Sequence, residues 1–371
     1  MPRIVLTWCA TARGGAERSV PELAHELAAS GLPVAVVWWR AEGGPAYPGG
    51  DGVEVHEVSG VDAYAHAVAR ALGRDGDGVV IGSHRTMLLD PRLVPPRVPV
   101  IAVVRGILHP AQPFRVVDPD RGTLVEYTPG TLPWDELVPG IARWVGISQA
   151  SAVSVRAVAP AEVQVSTILN GVSVPEWRPP APVGHPGVRL VAVCRSVAWK
   201  RLDVLVDAVG AMRHRDRVRL DVYGEAGSEH PRLEHRAAAQ GAPVTFHGWA
   251  GDLARHLAGA HALVSASDQE GFGRGILDAA GVAVPAIVPD TGANPELVLH
   301  GITGYTYDAT DPRQLTERLD EVAKADPATL AALGWAARRR ALGRFTPARC
   351  ADEYLELCHA LLALRRPVGV R

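Results

Sequence analysis

The chain has 371 residues, 47% of them hydrophobic and 21% charged, with a net charge of −2 at pH 7. At ~100–200 residues per domain this length points to two globular domains, and the near-neutral balance offers nucleic acid no electrostatic footing. Four cysteines (Cys9, Cys194, Cys350, Cys358) lie scattered without a C-x-x-C pair or histidines at metal-ligand spacing, and no segment has the ~20 apolar residues of a spanning helix; a reduced, cytoplasmic protein without a metal site is expected.

"RIVLTW" (3–8) reads as a buried strand, "ATARGGAE" (10–17) as a loop, "RSVPELAHELAASG" (18–31) as an amphipathic helix stopped by glycine, and "PVAVVWW" (33–39) as a second strand. The opening residues mimic a short signal peptide, but the apolar run leads straight into a glycine turn and a helix, as a βα unit does. The pattern continues through 78–84, 98–106 and 143–158. Strands alternating with helices imply a parallel sheet covered on both faces. At "NGVSVPEWRPPAPVGHPG" (170–187) five prolines mark a linker. A second α/β series begins at "VRLVAVCR" (188–195) and runs through 201–212, 218–225, 243–252, 260–269, 276–285, 285–290 and 304–308. The expected domains are therefore 1–175, a linker 176–187, 188–348, and a tail 349–371. That tail, "CADEYLELCHALLALRR" (350–366), is amphipathic but carries acids among its apolar residues, so it is read as packing on its own protein and not on a membrane.

Three stretches carry chemistry. "RGGAE" (13–17) puts two glycines between a strand and a helix, but lacks the G-x-G-x-x-G spacing and the later acidic residue of a dinucleotide site, and no G-K-[ST] occurs anywhere. It is either a backbone nest for another anion or a tight turn. "CRSVAWKR" (194–201) stands out by composition: of 38 basic Lys and Arg residues only Lys200 and Lys324 are lysines, and Lys200 falls in a strand-to-helix loop five residues after Arg195. A compact ammonium beside a planar guanidinium suits a diphosphate, and a solvated surface pair is the plain alternative. "EGFGRGILD" (270–278) separates two carboxylates by eight residues, with Glu270 at a strand end and Asp278 about two turns into the next helix. Glycines between them let backbone amides approach a ligand where open α/β sheets bind one.

Taken in order, these pieces resemble the family 4 retaining glycosyltransferases of the GT-B fold. "GGAE" resembles the family's first glycine loop, "ILNGVSVPEWRP" (168–179) its asparagine-glycine linker entry, and "RSVAWK" its phosphate-binding arginine and lysine. "EGFGRGILD" aligns with its E-x7-E element, and "TGANPELVLHGITGY" (291–305) with the loop that follows. The resemblance implies two Rossmann-like α/β domains whose parallel sheets face each other across a cleft, the first binding the acceptor and the second the nucleotide-sugar donor. It makes Arg195 and Lys200 the clamp on the donor diphosphate, with Gly14 and Gly15 approaching the same phosphates from the first domain. Glu270 is to contact the sugar beside the amides of Phe272, Gly273 and Arg274, and Asp278 the ribose, where the family has a glutamate. Arg105 stands where the family has a histidine facing the C6 end of the sugar; Glu17, His109 and Trp249 complete the candidate set. The implied activity is metal-independent, retaining transfer from a nucleoside-diphosphate sugar (a UDP-hexose by default, a UDP-hexuronate if Arg105 meets a carboxylate) to a small-molecule acceptor, in natural-product or glycoconjugate biosynthesis, with no cofactor beyond the co-substrate. An epimerase or phosphorylase on the same architecture, or a non-catalytic nucleotide-sugar sensor, are the alternatives.

Overall fold

The computed structural model describes residues 2–10, 14–40, 43–73, 76–83, 87–88, 94–109, 114–118, 123–128, 131–132, 134–175 and 187–364. The chain forms two compact units, one of residues 1–171 with 347–371 and one of residues 172–346. The unit boundary at 171/172 falls at the start of the proline-rich stretch 170–187 and ahead of the expected linker 176–187, of which 176–186 lie outside the described residues, and the tail belongs to the first unit.

The first unit contains, in chain order, β1 (Arg3–Ala10), α1 (Ala16–Ala29), β2 (Val34–Arg40), β3 (Val53–Val58), α2 (Val61–Leu72), β4 (Gly78–Ser83), β5 (Met87–Leu88), β6 (Val100–Val104), β7 (Phe114–Asp118), β8 (Thr123–Tyr127), α3 (Trp134–Gly140), β9 (Arg143–Gly146), α4 (Gln149–Arg156) and β10 (Val165–Thr167). Its main sheet is seven-stranded, in the order β10-β9-β6-β4-β1-β2-β3, with every pair parallel. The apolar runs of β1 and β6 are buried along almost their whole length, as covered parallel strands must be. β3, at the edge, alternates polar and apolar residues and is largely exposed, which is why its six residues carry no clear apolar signal in the sequence. Outside that sheet, β7 and β8 pair antiparallel, and β5 extends them to a three-stranded sheet.

The second unit runs β11 (Val188–Val193), α5 (Leu202–Gly210), β12 (Val218–Tyr223), α6 (His230–Gln240), β13 (Val244–Gly248), α7 (Leu253–Leu257), β14 (Ala262–Val264), α8 (Arg274–Gly281), β15 (Ala286–Pro289), α9 (Asn294–Leu297), β16 (Gly304–Tyr307), α10 (Pro312–Lys324) and α11 (Pro327–Arg344). Its six strands are all parallel, in the order β13-β12-β11-β14-β15-β16. In both units the chain winds outward from a first strand, then returns to that strand's other side. The order therefore reverses between β1 and β4 and again between β11 and β14, and such switch points open a crevice at the strand ends.

The last helix, α12 (Pro347–Ala363), buries Cys350, Ala351, Tyr354, Cys358 and Leu361 and packs against α1, so the amphipathic tail does cover its own protein. Burial pushes the thiols of Cys350 and Cys358 up to about 11 and about 12. Among the described residues no helix is long and apolar enough to cross a membrane.

Candidate functional site

The switch point of the second unit gathers most of the candidate residues. β11 ends at Val193, and its strand-end loop runs through Arg195 to a single 3-10 turn, Ala198–Lys200. The neighbouring loop after β12 lies flush against it: a Cβ on Gly224 would fall 2.1 Å from the Cys194 carbonyl oxygen, and one on Gly227 2.4 Å from that of Ser196. Backbone bonds from Cys194 N–H to the Tyr223 carbonyl (3.0 Å) and from Ser196 N–H to the Glu225 carbonyl (3.2 Å) hold this packing. The segment "GEAG" (224–227) is a structural partner of the site that sequence reasoning missed, although its two glycines at a strand end were the available signal.

Across the switch point, Lys200 Nζ lies 2.6 Å from Glu270 Oε2, with the two side chains only 14% and 16% exposed. The ammonium also sits 4.1 Å from the centroid of the Trp199 ring, a cation–π contact. The lysine read as a phosphate clamp and the glutamate read as a sugar ligand are thus partners of one another. Arg195 is half-buried, and its guanidinium has no ion pair among the described residues. Burial pushes the nearby Cys194 thiol up to about 11; Lys200 and Arg195 pull it down while Glu270 pushes it up, so all three charges act at the same point.

Backbone geometry explains the glycines of "EGFGRGILD". Gly273 caps α8 in the left-handed region (φ 58°), where a Cβ would meet Ile276 Cδ1 at 2.7 Å. A Cβ on Gly275 would come 3.3 Å from Val193 Cβ, so its absence brings the start of α8 onto the end of β11. Gly292, also left-handed, lets the loop after β15 close on Glu270, whose carbonyl accepts a bond from Ala293 N–H at 2.9 Å. Phe272 is buried and packs edge-on against Phe345.

α8 starts at Arg274, two residues before the position expected from the apolar pattern, and Asp278, four residues on, lies about one turn into it where two turns were expected. Arg274 and Asp278 are both buried, with Arg274 Nε 3.9 Å from Asp278 Oδ1. Trp249 follows β13 and is 44% exposed.

The first unit's candidates form a network of a different kind. Neither Gly14 nor Gly15 has a positive φ, and Gly15 precedes α1 with φ −66° and ψ −34°, so no left-handed residue builds a nest between them. A Cβ on Gly14 would lie 3.0 Å from Glu17 Oε2. The Ser19 hydroxyl donates to the Gly15 carbonyl (2.9 Å) and accepts from Asn170 Nδ2 (3.0 Å), while Arg105 Nη1 donates to Asn170 Oδ1 (3.3 Å). Arg105 is 8% exposed and stands 5.8 Å from the Trp8 ring centroid. Asn170, at the hub of this chain of bonds, was read only as part of the asparagine-glycine linker entry. His109 is exposed.

Comparison with known proteins adds to this geometry. Residues 187–325 match the family of glycosyl transferases group 1. The matched stretch holds Arg195, Lys200, Glu270 and Asp278. Over 118 residues the chain is 35% identical to an alpha-maltose-1-phosphate synthase of Mycobacterium tuberculosis, a match that spans 30% of each protein. Over 170 residues it is 32% identical to a GDP-mannose-dependent alpha-(1-6)-phosphatidylinositol monomannoside mannosyltransferase of Mycolicibacterium smegmatis, covering 42% of this chain and 44% of that one. The matches thus span less than half the length of these curated relatives. Among solved structures, a sucrose-phosphate synthase from Thermosynechococcus elongatus is similar over 98% of this chain and 100% of its own, with TM-score 0.79 and 17% identity. HepE from Anabaena, in complex with UDP and glucose, is similar over 97% of this chain and 100% of its own, with TM-score 0.75 and 16% identity. With its two parallel sheets of seven and six strands, the chain has the GT-B fold of two Rossmann-like domains.

Proposed function

We propose that the chain is a glycosyltransferase that moves a sugar from a nucleoside-diphosphate sugar to a small-molecule acceptor, with retention at the anomeric carbon and without a metal ion. The observation that carries this reading is the half-buried Lys200–Glu270 pair at the switch point between β11 and β14, inside the stretch matched to glycosyl transferases group 1. A lysine held 2.6 Å from a carboxylate in a crevice is a cation ready for exchange onto a stronger anion. An arriving diphosphate would take Lys200 and engage Arg195, leaving the Glu270 carboxylate to accept hydrogen bonds from sugar hydroxyls. Asp278, one turn into α8, is the candidate partner of the ribose.

In the reaction the bond from the anomeric carbon to the diphosphate oxygen breaks, and the bond to the acceptor oxygen forms on the same face. The acceptor's proton passes to the leaving phosphate oxygen. Negative charge grows on the diphosphate as the bond stretches, and preorganised cations there lower the barrier more than any other available interaction. Arg195 and Lys200 fill that role.

A UDP-hexose is the default donor. HepE is in complex with UDP and glucose, while the mannosyltransferase relative is GDP-mannose-dependent, so both nucleotides belong in the test. Four free cysteines suit a reducing compartment, and we place the reaction in the cytoplasm. Mass spectrometry of products formed from a panel of UDP- and GDP-sugars with small hydroxylated acceptors is the direct experiment. Glycosylated product supports the proposal; release of sugar 1-phosphate or an epimerised donor, without transfer, rejects it.

A further inference from the structure

Arg201 adopts a backbone conformation that arginine disfavours. With φ 49° and ψ 38° it is left-handed, and among the described residues Ala283 is the only other non-glycine with positive φ. The position demands that geometry, because Arg201 closes the turn Ala198–Lys200 and α5 begins at the next residue. Glycine would meet the demand without strain. What arginine adds is a side chain, and that side chain crosses the switch point. Nη1 lies 3.0 and 3.3 Å from the two carboxylate oxygens of Asp268, and Nε lies 3.4 Å from Asp203 Oδ1.

The sequence positions make this consequential. Lys200 immediately precedes Arg201, and Glu270 stands two residues after Asp268, so two ion pairs bridge the same two loops. Lys200–Glu270 is the sheltered one; Arg201–Asp268 is about 40% exposed on each side. Backbone ties run beside them, from Asp268 N–H (3.4 Å) and the Ser267 hydroxyl (3.5 Å) to the Trp199 carbonyl. An exposed pair adds little to folding stability, whereas strained backbone collects where a functional geometry must be held.

We propose that Arg201 and Asp268 are positioning residues that hold the Lys200 loop in place while Lys200 exchanges Glu270 for the phosphates of a nucleoside diphosphate. This rests on the reading of Lys200 as the diphosphate contact. When the inner pair opens, the outer pair keeps both loops at their original separation, so the ammonium swings without carrying its backbone away.

The test combines Arg201→Gly, Asp268→Ala and the double variant, each alone and together with Lys200→Ala. Arg201→Gly keeps the left-handed turn without strain and lacks only the fork, so its melting temperature stays at or above that of the wild type. Each single variant is expected to lose about ten-fold in kcat/KM, the double variant no more than either single, and neither to cause a further loss once Lys200 is alanine. Hydrogen exchange at the Lys200, Arg201 and Asp268 amides rises in Asp268→Ala. Wild-type kcat/KM within two-fold in Arg201→Gly, or a full ten-fold loss that persists on the Lys200→Ala background, overturns the proposal. Calorimetry with UDP and with GDP separates this from failure of the underlying reading: a wild-type chain that binds neither refutes the nucleotide site. In that case the exchange measurement decides alone, with unchanged protection in Asp268→Ala overturning the positioning role and raised protection loss supporting it.

Discussion

The two units repeat one strand plan with opposite chemistry. β12 flanks β11 as β2 flanks β1, yet "VAVVWWR" is apolar until its last residue, whereas β12, "VRLDVY", places Asp221 in the sheet interior. Asp221 is 3% exposed and faces Arg189 Nε at 2.7 Å, Arg219 Nε at 3.3 Å and His247 Nε2 at 2.9 Å. The switch points differ likewise. That of the second unit is bridged by ion pairs, and the first unit's loop is tied by hydrogen bonds through Ser19 and Asn170 to a buried Arg105. On the proposed function the Lys200–Glu270 pair yields to an anion while Arg201–Asp268 stays closed, whereas the first unit's loop is held by hydrogen bonds. Donor chemistry should therefore be concentrated in the second unit, and each variant below either deepens or erases that contrast.

The largest effect is expected from Lys200→Ala. Losing a charge-assisted contact to a developing diphosphate should lower kcat/KM by at least ~100-fold, or about 2.7 kcal/mol. Turnover and donor affinity close to normal would remove the main reason for assigning the anion to this unit.

Next comes Asp221→Asn, which probes the ionic interior of the second sheet without touching the crevice. Burial pushes the Asp221 carboxyl up, but the hydrogen bonds from His247 and Arg189 and the charges of Arg189 and Arg219 outweigh it and hold the group below the ordinary carboxylate range. A depressed folded-state value means that the group's stabilisation is complete above the unfolded carboxylate's ~3.9 and is lost as pH falls through the lower folded value. The variant should lose about 2 kcal/mol near neutrality, because Arg189 keeps its burial and loses its counter-charge. Chemical denaturation across pH 2–7 should also show a shallower acid limb than in the wild type, and identical limbs would mean that Asp221 does not titrate with unfolding.

How far the sequence foretold these features depends on the kind of information each one needs. Apolar runs such as β1 and β6 are legible because covered parallel strands have to be continuous; β3 escapes notice because an edge strand can alternate. Lys200 was conspicuous in a chain nearly devoid of lysine. Its pairing with Glu270 was not, since a contact across seventy residues depends on strand order. The left-handed turn at Arg201 and the role of Asn170 were hidden for similar reasons: composition does not encode the sign of φ, and an asparagine at a linker entry does not reveal that its side chain meets Ser19 and Arg105.

A smaller effect separates the two candidate carboxylates Glu270 and Asp278. In Glu270→Gln, Lys200 no longer has an anion to leave, so free UDP should bind as well as to the wild type or slightly better. Asp278→Asn should bind it roughly ten-fold more weakly, as expected for a lost charge-assisted hydrogen bond. Isothermal titration measures both, and the reverse order would exchange the sugar and ribose assignments.

The smallest effect, and the sharpest test of the first unit, concerns Arg105. The residue is 8% exposed, and its guanidinium is bonded to Asn170 and set against the Trp8 ring. A planar fork already committed to an amide oxygen has part of its donor set engaged, which favours a scaffolding role over bidentate capture of a hexuronate carboxylate. On that reading Arg105→His leaves the ranking of donors intact and lowers turnover only a few-fold, through slackening of the Asn170–Ser19–Gly15 chain, and Asn170→Ala reproduces the same loss. The carboxylate reading expects the opposite pattern. UDP-glucuronate would outcompete UDP-glucose with the wild type, Arg105→His would reverse that preference, and Asn170→Ala would leave it alone. Competition between the two donors, followed by mass spectrometry of the products, distinguishes the patterns, since only a residue that meets the sugar directly can change which sugar wins.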